Sequence, residues 1–321
     1  MNKLSLSRLD PRGRRVLMRV DYNVPLDKER RITDDTRITA TLPSLRHVLE
    51  GGGSLVLMSH LGRPKGAPDP AYSLRPVADR LAELIAAPIR FAPDVAGPQA
   101  QALAARLQPG EVLLLENLRF HPGETKNDAA FAAELARLGD AYVDDAFGAA
   151  HRAHASVAAV AAHFPQRYAG LLMERELAHL GRLLADPPRP FVAVLGGAKV
   201  KDKVEIIASL LDRVDTLLLG GGMIFTFFQV RGLSVGKSLV DAESLEVVRR
   251  LTEKAKSSRA QLVLPEDCVV ADDFRDAAQR REVLVTDIPD GWQGLDIGPQ
   301  TVARYRQVLA QAKAVFWNGP L

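Results

Sequence analysis

The residues best equipped for chemistry lie just downstream of short apolar runs. In the first half these are Asp21, Tyr22 and Asn23; His60, Gly62 and Arg63; Glu116, Asn117 and Arg119; and Asp144 and Asp145. Arg37 follows a candidate helix cap at Asp34 and Asp35, and His151, Arg152 and His154 close the series. Guanidinium groups pair bidentately with carboxylates and phosphates, so four arginines at one end of a sheet suit a small anion carrying both. A single arginine at a strand end is ordinary surface charge; the set is what points to a site.

The second half carries a different signature. One apolar run leads into Gly196, Gly197, Ala198, Lys199 and then Lys203, and another into Gly220, Gly221 and Gly222. Glycine lets backbone approach a ligand closely, and a helix N-terminus favours anions. Lys199 and Lys203, four apart, are expected to share a helix face beside a bound nucleotide phosphate. Residues 232–238 mimic a Walker A loop one residue short, and the segment before them reads as a helix rather than a strand, so that motif is rejected. His151 and His154 near Asp144 and Asp145 read as a polar loop with one anion-facing histidine rather than a metal cluster.

The elements that must position these groups follow from periodicity. Apolar runs at 16–20, 54–58, 112–115 and 141–143 recur in the second half at 191–195, 216–219, 261–264, 282–285 and 314–317. Between them lie stretches of helical spacing, including 74–86, 129–138, 202–211 and 242–256. The alternation, with little period-2 pattern in the runs, predicts parallel sheets buried on both faces. Residues 171–184 form one amphipathic pattern, halted by the proline-rich stretch 186–190. The expected fold is α/β, two Rossmann-like domains joined by a connecting helix and hinge. The expected boundaries are 1–170, a linker at 171–189, and 190–321. Ligands then belong beyond the carboxyl ends of the strands.

Composition excludes several classes. The chain of 321 residues is 47% hydrophobic and 25% charged with a net charge of +3, which argues against disorder and gives no electrostatic case for nucleic acid. No apolar run reaches the length of a membrane span. The single cysteine, Cys268, excludes an internal disulfide and reads as a buried, inert thiol. The arginine-interrupted first twenty residues do not read as a signal peptide, and a cytoplasmic setting is expected.

Ten ordered segments resemble the phosphoglycerate kinase family. They are RVDYNVP at 19–25, DTRI at 35–38, SHLGRP at 59–64, ENLRF at 116–120, DDAFG at 144–148, HRAHAS at 151–156, GGAKV at 196–200, GGG at 220–222, LDIGP at 295–299 and WNGP at 317–320. The resemblance implies a monomeric, hinge-bending enzyme of glycolysis. It would move a phosphoryl group reversibly between 1,3-bisphosphoglycerate and ADP, giving 3-phosphoglycerate and ATP. It places phosphoglycerate on Asp21, Asn23, Arg37, His60, Arg63, Arg119 and Arg152. The nucleotide falls to Gly197, Lys199, Lys203, Gly221, Gly222, Gly294 and Asn318. Arg37 and Lys199 would stabilise the group in flight, and Mg²⁺ would arrive with the nucleotide rather than on a protein metal site. Family members continue past the WNGP segment with a ribose-contacting glutamate, a glycine-rich loop bearing a Mg²⁺-binding aspartate and a returning segment. The given sequence stops at Leu321, so a bare apolar sheet edge is expected, with impaired turnover in a phosphoglycerate-binding fragment as the alternative function.

Overall fold

The computed structural model describes residues 4–321, and its contacts divide the chain into one unit ending at Leu180 and another spanning Gly181–Leu321. The division falls inside the helix Leu171–Ala185. That helix begins under two caps: Asp145 Oδ1 accepts from Met173 N–H at 3.0 Å, and Ser44 Oγ accepts from Leu171 N–H at 2.9 Å.

The first unit is built on seven strands: β1 (Leu4–Ser5), β2 (Arg15–Arg19), β3 (Ser54–Met58), β4 (Ile89–Phe91), β5 (Val112–Leu114), β6 (Ala141–Asp144) and β7 (Arg167–Ala169). Their order across the sheet is β1-β7-β6-β2-β3-β5-β4, and every pair is parallel. The burial of β3 explains why the apolar runs lack alternation. Leu55 and Leu57 enter a core with Leu45, Val48, Val77 and Leu81 from helices Leu42–Glu50 and Arg75–Leu84. Val56 and Met58 point the other way, into a core with Phe131 and Leu135 of helix Ala129–Ala136. Both faces are covered, so every position of the strand is apolar or small.

The second unit has two sheets. β8 (Phe191–Leu195), β9 (Thr216–Leu219), β10 (Gln261–Val263) and β14 (Ala314–Asn318) form a parallel sheet in the order β10-β9-β8-β14. β11 (Asp267–Ala271), β12 (Arg280–Leu284) and β13 (Gln293–Ile297) form an antiparallel one. The run at 282–285 was expected in a parallel sheet, and this is a correction. No helix separates β11 from β12, and without a crossover the chain can only return antiparallel. β14 is an edge strand of this sheet, with Val315 and Trp317 exposed at 43% and 57%.

Asp267 ties the two sheets' surroundings together. Nearly fully buried, its carboxylate accepts from Gln300 N–H at 2.9 Å and Thr301 N–H at 2.8 Å, capping helix Pro299–Gln311, and from Thr301 Oγ1 at 2.6 Å. Removing it leaves these donors unmet, so Asp267→Ala should destabilise the second unit by about 2 kcal/mol. Urea unfolding followed by tryptophan fluorescence checks this; an unchanged midpoint would remove the cap from the account.

Candidate active site

The ends of β2, β3 and β5 and the loop after β6 feed one pocket of about 490 Å³, lined by Asn23, His60, Gly62, Arg63, Pro64, Arg119, Thr125, Arg152 and His154. Each wall is held from behind. Asn117, fully buried, donates through Nδ2 to Leu61 O at 2.7 Å and Tyr72 O at 2.8 Å. Glu116 accepts from Leu74 N–H at 2.8 Å and Ser73 Oγ at 2.7 Å, so this carboxylate is structural. Gly62 adopts φ +60°, and a Cβ there would fall 2.3 Å from the Tyr72 ring, so only glycine serves at this turn. Asn23 Oδ1 accepts from Gly62 N–H at 2.8 Å, joining the first loop to the second.

The pocket is lined by three arginines and two histidines and by no carboxylate. Arg119 donates through Nη1 to Gly62 O at 2.6 Å, yet its Nε is buried with no partner. Burial, then the neighbouring Arg152 and Arg19, lower its pKa. Arg63 and Arg152 line the same space. The nearest carboxylates are committed elsewhere: Asp21 Oδ2 accepts from Arg37 Nη1 at 2.6 Å, and buried Glu124 accepts from Ser156. A donor out of water without an acceptor costs free energy.

Arg19, 1% exposed at the end of β2, donates through Nη2 to His60 Nδ1 at 3.0 Å. Burial, then the charges of Arg19, Arg119 and Arg152, push the His60 pKa down to about 2. His154, 3.6 Å from Glu124, is also pushed down, chiefly by burial. His154, placed at this rim by the sequence but given no ligand role there, lines the pocket, and Thr125 is a wall residue that sequence reasoning missed. Asp21 and Arg37 pair with each other beside the pocket, with Asp21 3.9 Å from His60 Nδ1, and neither lines it. A larger groove of about 900 Å³ lies between 29–36 and 75–83, but its Arg80 is already paired with Asp35 at 2.8 Å and with Glu83. It offers less uncompensated charge to an anion.

In the second unit the glycine turns pack backbone on backbone. Gly197 (φ +139°) and Gly221 (φ +69°) lie so close that a Cβ on Gly221 would sit 2.5 Å from Gly197 N. Met223 N–H donates to Gly197 O at 2.9 Å. Lys203 Nζ donates to Asn318 Oδ1, and Lys199 is exposed in the turn. The shared helix face expected for the two lysines is not formed: Lys203 ends a 3-10 turn, Lys201–Lys203, and the helix starts at Val204. Gly294 stands apart on β13, packed against the Phe225 ring. The 232–238 segment follows helix Ile224–Val230, in keeping with its rejection as a P-loop. Cys268 is fully buried, and burial pushes its thiol up to about 11. Among the described residues, no three or more His, Cys, Asp or Glu side chains group as metal ligands, and no helix is long and apolar enough to cross a membrane.

The family model described as phosphoglycerate kinase matches residues 6–321. The chain belongs to the phosphoglycerate kinase family. It is 54% identical to the phosphoglycerate kinase of Chloroflexus aurantiacus across all of this chain and 80% of that protein. It is 53% identical to that of Chlorobaculum tepidum, across all of this chain and 81% of the relative. Among solved structures, phosphoglycerate kinase from Coxiella burnetii aligns with a TM-score of 0.82 at 38% identity, and that from Pyrococcus horikoshii OT3 with 0.83 at 28%. Each alignment covers 99% of this chain and 80% of the other. The chain is thus a phosphotransferase with a carboxyl acceptor, of a glycolytic kind.

The depressed His60 pKa has a stability consequence. Below its ordinary value of 6.5 the unfolded chain binds a proton on this ring that the folded pocket refuses until about pH 2. The ring's contribution is therefore complete above pH 6.5 and falls by about 1.4 kcal/mol for each pH unit below it. Urea unfolding near pH 6 and pH 5 should show a pH slope shallower by about one proton in His60→Gln than in the wild type. Equal slopes would mean His60 titrates normally in the fold.

Proposed function

We propose that the arginine pocket of the first unit binds 3-phosphoglycerate and 1,3-bisphosphoglycerate, and that the glycine turns of the second unit bind ATP and ADP. The observation that carries this reading is the pocket of cations whose nearby carboxylates are committed elsewhere, with a buried, unpartnered Arg119 Nε among them. Arg63, Arg119 and Arg152 take the phosphate and carboxylate, His60 donates from Nε2, and Asn23 fixes the near wall. Asp21 holds Arg37 beside this space at 2.6 Å. In the second unit, Gly197, Gly221 and Gly222 let phosphate oxygens approach backbone, Gly294 flanks the nucleotide, and Lys203 and Asn318 act as a pair. Mg²⁺ comes as part of the nucleotide substrate.

The reaction asks for positioning and charge stabilisation rather than a protein nucleophile. In the ATP-consuming direction, a carboxylate oxygen of 3-phosphoglycerate forms a bond to the terminal phosphorus as the bond to the bridging oxygen of ADP breaks. Arg37 and Lys199 neutralise the charge on the transferring group. The two substrates are held by different units, so we assign their meeting to hinge closure, which also keeps water from the acyl phosphate. The enzyme acts as a cytoplasmic monomer.

An assay of the 321-residue chain in the ATP-consuming direction, coupling acyl phosphate to NADH oxidation, tests this. Turnover carries the kinase reading; binding of 3-phosphoglycerate without turnover would select the phosphoglycerate-binding fragment instead. In an active enzyme, Arg37→Ala and Lys199→Ala should each lower kcat by roughly 100-fold or more with a much smaller change in KM. A loss confined to KM would remove these two residues from the transition state.

A further inference from the structure

Behind the pocket wall runs a chain of buried polar groups. Glu124, fully buried, accepts from Ser156 N–H at 3.0 Å and from Ser156 Oγ at 2.7 Å. The hydroxyl proton of Ser156 is thereby committed, and its oxygen accepts from Arg19 Nε at 3.0 Å. Arg19 also donates through Nη1 to Val20 O and through Nη2 to His60 Nδ1. A guanidinium has donors and no acceptor, so His60 Nδ1 must present its lone pair and the ring proton must sit on Nε2. Among the described residues nothing accepts from Nε2, and the ring lines the pocket.

We propose that Glu124, Ser156 and Arg19 are positioning residues that lock His60 as a neutral Nε2–H donor toward the bound phosphoglycerate. The opposite tautomer would aim its N–H at a guanidinium N–H. A second ring proton would add charge beside Arg19, Arg119, Arg152 and His154, all of which disfavour it. On the other side stand Asp21, 3.9 Å from Nδ1 and already paired with Arg37, and Glu124, occupied by Ser156. The donor is therefore constant across the neutral pH range, and the pocket recognises its ligand through a fixed hydrogen bond rather than a histidine charge. No sequence pattern marks this chain, since Ser156 is 32 residues from Glu124 and 137 from Arg19.

The inference rests on the pocket being the phosphoglycerate site, but its tautomer half can be read without any ligand. Nitrogen-15 correlation spectra of the seven histidines in the full chain, with His60 assigned from His60→Gln, should show the Nε2–H form unchanged from pH 5 to pH 8. An Nδ1–H form, or titration inside that interval, overturns the proposal whatever the variants do. In Ser156→Ala, His60 should populate both tautomers, and KM for 3-phosphoglycerate should rise about tenfold while KM for ATP stays unchanged. Ser156→Thr, which keeps the hydroxyl, should restore both readouts, and circular dichroism confirms that each variant folds. A wild-type His60 spectrum in Ser156→Ala, or a shifted tautomer with an unchanged KM, contradicts the positioning role. Expected His60 spectra in a chain that binds no 3-phosphoglycerate would support the lock and overturn the assignment of the pocket.

Discussion

Arg19 is among the largest fully buried side chains of the protein, and burying a guanidinium is the constraint around which the first unit is arranged. A guanidinium carries donors only, so each of its nitrogens needs an acceptor inside the fold. Val20, Ser156 and His60 supply them, and Glu124 behind Ser156 offsets the charge. The consequence spreads outward. His60 is kept from taking a proton, Arg119 keeps a buried donor unmet, and cationic groups crowd the pocket between them.

The nucleotide site proposed for the second unit is built by another route. Its glycines are required by space: a side chain at Gly196 would strike Pro320 O, and one at Gly221 would strike Gly197. Loops this close leave backbone N–H groups and two lysines at the carboxyl ends of β8 and β9. In the proposed function, phosphates meet backbone dipoles and ammonium groups there rather than rigid forks.

Much of this was legible in the sequence, for identifiable reasons. β2, β3, β8 and β9 declare themselves because both faces are buried, which forces continuous apolar runs at 16–20, 54–58, 191–195 and 216–219. His60, Arg63, Arg119 and Arg152 follow from asking what comes after each run, because a parallel sheet delivers its strand ends to one side. β12 departs from the expected parallel strand because an exposed antiparallel strand carries only Val283 and Leu284 as apolar signal, too little to show its direction. β13 was invisible, as Gly294 and Asp296 dilute its pattern. The spacing of Lys199 and Lys203 suggested a shared helix face, but the helix begins at Val204, after both. The Glu124–Ser156–Arg19 chain was beyond reach, because tertiary hydrogen bonds leave no period behind. Residue roles beyond position came from the ten family segments, not from periodicity.

As proposed, the first unit's pocket is an anion site for phosphoglycerate. Calorimetric titration of the ligand-free chain with 3-phosphoglycerate at two ionic strengths tests it most directly. The account predicts one molecule bound per chain, with affinity that falls as salt rises because guanidinium–anion attraction is screened. No saturable binding, or binding indifferent to salt, would contradict it.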